Sequence, residues 1–80
     1  MDQLFKSTDE ARRHLEEAHP GARYLAGTTW VCNEPGMVSA VIKVAIAGAC
    51  RPHPDLLGFA VAVEDGPWGQ GITVYVALPA

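Results

Sequence analysis

The stretch LGFAVAVEDGPWGQGITVYVAL, residues 57–78, decides the fold. Apolar side chains alternate along it on both sides of a glycine-rich centre, at Leu57, Phe59, Val61 and Val63 and again at Ile72, Val74, Val76 and Leu78. A period of two is typical of β-strands, and glycine with proline between two such runs indicates a turn. We therefore predict a β-hairpin with Val63 opposite Ile72, because this register places both apolar sets on one face.

The preceding part of the chain shows the same alternation. Leu25 to Val31 has its apolar or small residues at odd positions, and Val38 to Ile46 has them at even positions. Between the two runs, Asn33-Glu34-Pro35-Gly36 is typical turn sequence. This pattern predicts a first hairpin whose strands share an apolar face. The connection 48–56 can reach either edge of that hairpin, so the strand order stays open.

A short charged helix is predicted before the strands. Ser7 and Glu10 match a capping box, in which the serine side chain accepts a hydrogen bond from the backbone amide three residues later. Good helix formers continue to Ala18, and Pro20-Gly21 ends the segment because proline disfavours helical geometry at the residue before it. Such a short helix is not stable alone and must pack on the sheet.

These elements predict one α+β domain over residues 1–80, in which a single N-terminal helix packs on a four-stranded antiparallel sheet made of two β-hairpins. Four strands make a sheet of roughly 19 by 26 Å, whereas a helix of about 12 residues is about 18 Å long and about 10 Å wide. The helix would cover about a third of one face. The sequence thus predicts more apolar sheet surface than the chain itself can cover.

The second face of this predicted sheet is small, apolar and aromatic, with only Lys43 and Glu64 charged. A solvated face normally carries clearly polar residues. We therefore expect self-association, or binding to a larger protein, through sheet surface. The candidate contact residues on this face are Tyr24, Trp30, Val41 and Tyr75. The alternative is that a weakly polar face tolerates water.

Trp68 is a further candidate for partner binding. It lies among three glycines, at Gly66, Gly69 and Gly71, which would let the loop adapt to another surface. An exposed tryptophan is a common energetic anchor of protein interfaces. The alternative is that Trp68 folds back and covers the apolar end of its own sheet.

The connection between the predicted hairpins carries the residues with metal-binding or catalytic chemistry. Cys50, His53 and Asp55 are all residue types that bind zinc. A cysteine and a histidine, here Cys50 and His53, are also the residue types of a thiol nucleophile and its base. Their spacing matches no standard metal site, and no third catalytic group stands at a recognisable position. We expect an ordered polar loop without a metal or cofactor, no enzymatic activity, and no disulfide between Cys32 and Cys50.

Composition narrows the class of partner. The net charge is −3, and the six Lys and Arg residues are spread along the chain, whereas nucleic-acid binding normally shows a basic stripe. The longest apolar stretch, residues 41–50, is too short to span a bilayer and contains Lys43. The first residues do not show a cationic segment followed by an apolar core, so we expect no secretory signal. We expect a cytoplasmic protein that binds neither nucleic acid nor membrane.

Two functional hypotheses follow. The first is a small acidic protein-binding module that acts by surface occlusion or as an adaptor. Phage-encoded inhibitors such as anti-CRISPR proteins, and small immunity proteins, are similar in size and composition, and this analogy transfers no residue roles. The alternative is a homo-oligomeric small-molecule binder or small enzyme with sites at subunit interfaces, where Tyr24, Trp30 and Tyr75 line a ligand site and His53 supplies polar chemistry.

Overall fold

One five-stranded mixed sheet lies between two helices in the computed structural model, which describes residues 4–27 and 29–80. The fold is a small α+β domain, with a 3-10 helical turn at Pro35–Met37. In chain order its strands and helices are β1 Leu4–Phe5, α1 Thr8–Ala18, β2 Arg23–Ala26, β3 Trp30–Cys32, α2 Val38–Cys50, β4 Gly58–Gly66 and β5 Gly69–Leu78.

Strands β4 and β5 form the centre of the sheet. β1 pairs with β4 in parallel orientation, and β4 pairs with β5 in antiparallel orientation. The other edge of β5 is shared by two short antiparallel strands, β2 along its C-terminal part and β3 along its N-terminal part. The sheet is therefore mixed and has five strands, rather than four antiparallel ones.

The hairpin of β4 and β5 confirms the register predicted from the sequence, with Val63 opposite Ile72. Its strands continue to Gly66 and Gly69, which leaves only Pro67 and Trp68 in the turn. Gly69 has a φ of +126°, and a Cβ atom there would lie 2.6 Å from the carbonyl oxygen of Cys32. This position therefore needs glycine both for its backbone conformation and for the close approach of β3.

Helix α1 is also as predicted. The Oγ of Ser7 accepts a hydrogen bond from the backbone N–H of Glu10 at 3.1 Å, which fixes the first turn. Ala11 and Leu15 are buried, four residues apart on the face that contacts the sheet. They pack against the small residues of that sheet face, Ala60, Ala62 and Ala77.

Residues 38–50 form an α-helix, so the predicted first hairpin is wrong. The segment is apolar at alternate positions, which suggested a strand, and it is also apolar at the helical spacing of Val38, Val41, Ala45 and Ala49. A run that is apolar almost throughout satisfies both periods. In the fold, residues 23–26 and 30–32 pair with β5 instead, and α2 packs on one face of the sheet.

A β-bulge separates β2 from β3. Ala26 lies opposite Tyr75, whereas Trp30 lies opposite Ile72, so four steps along one strand match three along the other. One extra residue reverses which face each following side chain occupies. Tyr24 therefore lies on the α1 side of the sheet and Trp30 on the α2 side, although the sequence predicted a common face.

Each sheet face has its own apolar core. The α1 side holds the alanine cluster with Tyr24 and Tyr75, and the α2 side holds larger residues: Val61, Ile72, Val74, Val76 and Leu78. A helix packs on each face of the sheet, so both faces have a covering layer, whereas the sequence predicted cover for part of one face. The segment counted as additional apolar strand is the second covering helix.

Candidate functional site

Trp68 projects from the tip of the central hairpin. Its side chain is 80% exposed, the most exposed large apolar side chain among the described residues. The two-residue turn places it at the end of two paired strands, so it does not fold back over its own sheet. An exposed indole on a tight turn is an unusual use of a residue that is normally well buried.

Trp30 is the second exposed tryptophan, at 43%. It lies on the edge strand β3, opposite Ile72 of β5. Ile72 follows Trp68 by four residues, which corresponds to about 13 Å of extended chain. Val31 on the same strand is also exposed, and it faces the other side of the sheet because it lies opposite Gly71. Met37 in the following 3-10 turn is exposed as well. We call the set Trp30, Val31, Met37 and Trp68 the tryptophan corner.

A pocket of about 300 Å³ lies between Trp30 and the C-terminal half of α2. It is open because small residues stand where larger side chains would fill it. Gly27 in the bulge donates its N–H to the carbonyl oxygen of Val74 at 2.8 Å, which holds the bulge against the sheet. The pocket is lined by Gly27, Trp30, Ala45, Gly48, Ala49, Pro52, His53 and Val74.

The other three predicted partner-binding residues lie between the layers of the fold. Tyr24 is half-buried and donates its hydroxyl hydrogen to the carbonyl oxygen of His19. Tyr75 packs in the α1-side core, and Val41 packs from α2 against the other face. All three side chains are less exposed than those of Trp30 and Trp68.

The residues Cys50, His53 and Asp55 lie in three different environments. Cys50 ends α2 and packs against the apolar core, and this burial raises the pKa of its thiol. A raised pKa disfavours the thiolate, which is the reactive form of a cysteine nucleophile. Asp55 is exposed and only His53 lines the pocket. Within residues 4–27 and 29–80, no three His, Cys, Asp or Glu side chains are grouped to hold a metal ion.

Sequence reasoning named Trp30 and His53 together as ligand-site residues, and the structure does place them in one pocket. It missed the residues that create the space, Gly27, Gly48 and Ala49. The available signal was Gly48, since an isolated glycine within a helix costs about 1 kcal/mol relative to alanine. The strand interpretation of this segment concealed it, because it assigned Gly48 to a connecting loop.

The charged surface of α1 is a separate region. Arg12 lies 3.4 Å from Asp9 and 3.9 Å from Glu16, and all three side chains are at least half exposed. Pairs of this kind contribute little to stability because water screens them. They form a solvated outer surface on the sheet side opposite the pocket.

No helix in the described ranges combines the length and apolarity needed to cross a membrane. Comparison with protein-family models, with curated proteins and with solved structures finds no match to this chain.

Proposed function

We propose that this protein is a protein-binding module that acts by occupying a partner's surface through the tryptophan corner, as an inhibitor or an adaptor. The observation that carries the proposal is the 80% exposure of Trp68 on a two-residue turn, with Trp30 exposed on the adjacent edge strand. Tryptophan is the residue type most enriched among interface positions that dominate binding energy.

The corner is also well prepared for binding. Trp68 extends from a hairpin whose strands are paired up to Gly66 and Gly69, so little backbone freedom remains to be lost on association. The bulge beside β3 twists the open sheet edge and opposes pairing with a foreign strand. Recognition through side chains therefore fits this edge better than strand addition.

The charges around the corner define the partner surface. Residues 29–37 and 64–72 contain three charged side chains, Glu34, Glu64 and Asp65, and all of them are acidic. Glu64 accepts a hydrogen bond from the backbone N–H of Thr8 at the start of α1, so the exposed acidic groups beside the corner are Glu34 and Asp65. Asp65 is exposed, and its Oδ1 accepts a hydrogen bond from Gln70 at 3.1 Å. An apolar patch with an acidic rim complements an apolar depression with a basic rim. We therefore expect the partner to be a protein with such a depression, bound more weakly as salt increases.

The test begins with affinity purification from the native host at low salt and mass determination of the intact assembly. The recovered partner is then purified, and its Kd is measured for the wild type and for Trp68→Ala. Loss of an interface anchor of this type weakens binding by about 30-fold or more. The matched control is Leu57→Ala, which shortens a half-exposed apolar side chain at the opposite end of β4.

Retention of the partner by Leu57→Ala and its loss by Trp68→Ala would support the proposal. An unchanged Kd for Trp68→Ala, with the hairpin still folded by circular dichroism, would refute it. Self-association is a separate outcome of the mass measurement. It would support the same surface only if Trp68→Ala converted the oligomer to a monomer.

Small-molecule binding is the second candidate, and the pocket beside Trp30 is the specific observation that favours it. The two aromatic residues that would have shared this role, Tyr24 and Tyr75, lie on the other side of the sheet. The site therefore depends on Trp30 and His53 within one subunit, rather than on a subunit interface.

A further inference from the structure

We propose that the pocket between Trp30 and α2 binds a small, neutral, planar aromatic molecule that carries one hydrogen-bonding group, such as a phenol or an indole. This inference goes beyond the proposed protein-binding function and does not depend on it. It rests on the shape of the pocket, on an otherwise unexplained glycine in α2, and on the polarity of the pocket lining.

The unexplained glycine is Gly48. It lies within α2, where glycine is a poor helix former, and a Cβ atom at this position would meet no other atom within 4 Å. No neighbouring group therefore requires the missing side chain. Because Gly48 lines the pocket, its effect is to keep that space open.

Gly27 has a different, structural role in the same pocket. A Cβ atom there would lie 3.3 Å from the carbonyl oxygen of Val74 and 3.6 Å from the Cβ of Ala49. Glycine at this position lets the bulge approach both the sheet and α2. This approach sets the position from which Trp30 forms one wall of the pocket.

Size and wall chemistry favour a flat ring. A volume of about 300 Å³ is at the lower limit for ligand pockets, which suits a molecule of one or two rings. Trp30 offers an aromatic surface for stacking, and Ala45, Gly48 and Ala49 on α2 leave room for a ring beside it.

The lining also sets the charge of the ligand. Among residues 4–27 and 29–80, no Asp, Glu, Lys or Arg lines the pocket, so an ionised ligand would lose hydration without gaining a charged partner. His53 is the one imidazole in the lining, and a neutral imidazole offers one donor and one acceptor. A hydroxyl group or a ring N–H can use either. These properties select a neutral aromatic ring with a single polar group.

The experiment titrates the full chain with p-cresol and with indole, followed by NMR signals of the two tryptophan side chains. We expect saturable shifts at Trp30 and none at Trp68, which serves as an internal reference. The non-aromatic analogue 4-methylcyclohexanol also carries one hydroxyl group, which is a weaker donor than that of a phenol. It should bind about 2- to 10-fold more weakly, chiefly because it cannot stack on Trp30.

Two variants test the geometry. Gly48→Leu fills the pocket and should weaken p-cresol binding by about 10-fold or more. Its control is Ala47→Leu, which adds the same side chain at an exposed neighbouring position outside the lining. His53→Phe should weaken p-cresol about 2- to 10-fold and leave toluene unaffected, because only the hydrogen bond is lost.

Absence of a saturable shift at Trp30 up to the solubility limit of p-cresol and indole would overturn the proposal. Wild-type affinity in folded Gly48→Leu would do the same, as would equal losses for p-cresol and toluene in His53→Phe. The protein-binding proposal fails separately. Trp68→Ala should leave p-cresol binding unchanged, whereas Ala47→Leu should leave both activities intact.

Discussion

The hydroxyl oxygens of Thr29 and Thr73 lie 2.9 Å apart and share a hydrogen bond. Thr73 is only 6% exposed, and it is the buried polar residue of the sheet among those that the structure describes. Thr29 belongs to the exposed bulge between β2 and β3. The Thr29 side chain therefore gives the buried hydroxyl of Thr73 on β5 a hydrogen-bond partner.

This pair predicts that two isosteric substitutions, Thr29→Val and Thr73→Val, lower the free energy of unfolding by different amounts. Thr29→Val leaves the buried Thr73 hydroxyl without a partner and should lower the free energy of unfolding by about 1–3 kcal/mol. Thr73→Val removes the buried polar group itself, while Thr29 can bond to water, so its cost should be about 1 kcal/mol or less. Urea unfolding of both variants and of the double variant measures the difference. Equal costs, or a larger cost for Thr73→Val, would contradict this account.

Gly69 should tolerate no side chain. Its φ of +126° and the 2.6 Å approach of the Cys32 carbonyl oxygen to a Cβ atom combine backbone strain with a clash against backbone. Strain of this kind costs about 1–3 kcal/mol before the clash is counted. Gly69→Ala should therefore lower the free energy of unfolding by about 2 kcal/mol or more, measured by urea titration.

The matched control for that substitution is Gly66→Ala, which is at the other side of the same turn. A Cβ atom there would lie 3.4 Å from the carbonyl oxygen of Gly69, an ordinary contact. Its cost should stay below about 1 kcal/mol. A similar loss in both variants would show that the hairpin tolerates no substitution at all, and that the approach of β3 is not the reason.

Gly48 offers a stabilising substitution. Gly48→Ala places a methyl group in open space and should raise the free energy of unfolding by about 0.5–1 kcal/mol, through higher helix propensity and a less flexible unfolded chain. The reverse change at the neighbouring exposed position, Ala47→Gly, should lower it by a similar amount. Thermal or urea unfolding reports both. Destabilisation by Gly48→Ala would contradict the open space beside Gly48, because it would show that protein atoms occupy the pocket when the protein is in solution.

The partly buried thiol of Cys50 predicts a pH dependence. Burial raises its pKa above that of an unfolded cysteine, so the folded state disfavours the thiolate. This contribution to stability is complete below the unfolded pKa of about 8.5 and is lost as pH rises through the folded pKa.

Alkylation kinetics give a direct readout of that shift. In a Cys32→Ala background, the rate of Cys50 alkylation by iodoacetamide should rise with pH along a curve displaced upward from that of free cysteine. Addition of urea above the unfolding midpoint should remove the displacement. A folded-state curve that coincides with that of free cysteine would contradict the raised pKa of this partly buried thiol.

The sequence alone determined the elements whose signals are local. Helix α1 follows from the Ser7 cap and the stop at Pro20-Gly21, and both act within a few residues. The hairpin of β4 and β5 follows from alternation and a compact turn, so the pairing of Val63 with Ile72 was predictable. The exposed position of Trp68 depends on this turn, and the alternative in which Trp68 folds back over its own sheet was wrong.

Only the tertiary structure decided the state of residues 38–50, because their apolar pattern suits a strand and a helix equally. β5 pairs with β2 and β3 along its second edge, and the larger residues of the central sheet need a covering layer, which α2 supplies. The bulge before Trp30 then reverses the faces along the edge. The pocket exists because these two long-range outcomes place Trp30 beside Gly48, which no local signal connects.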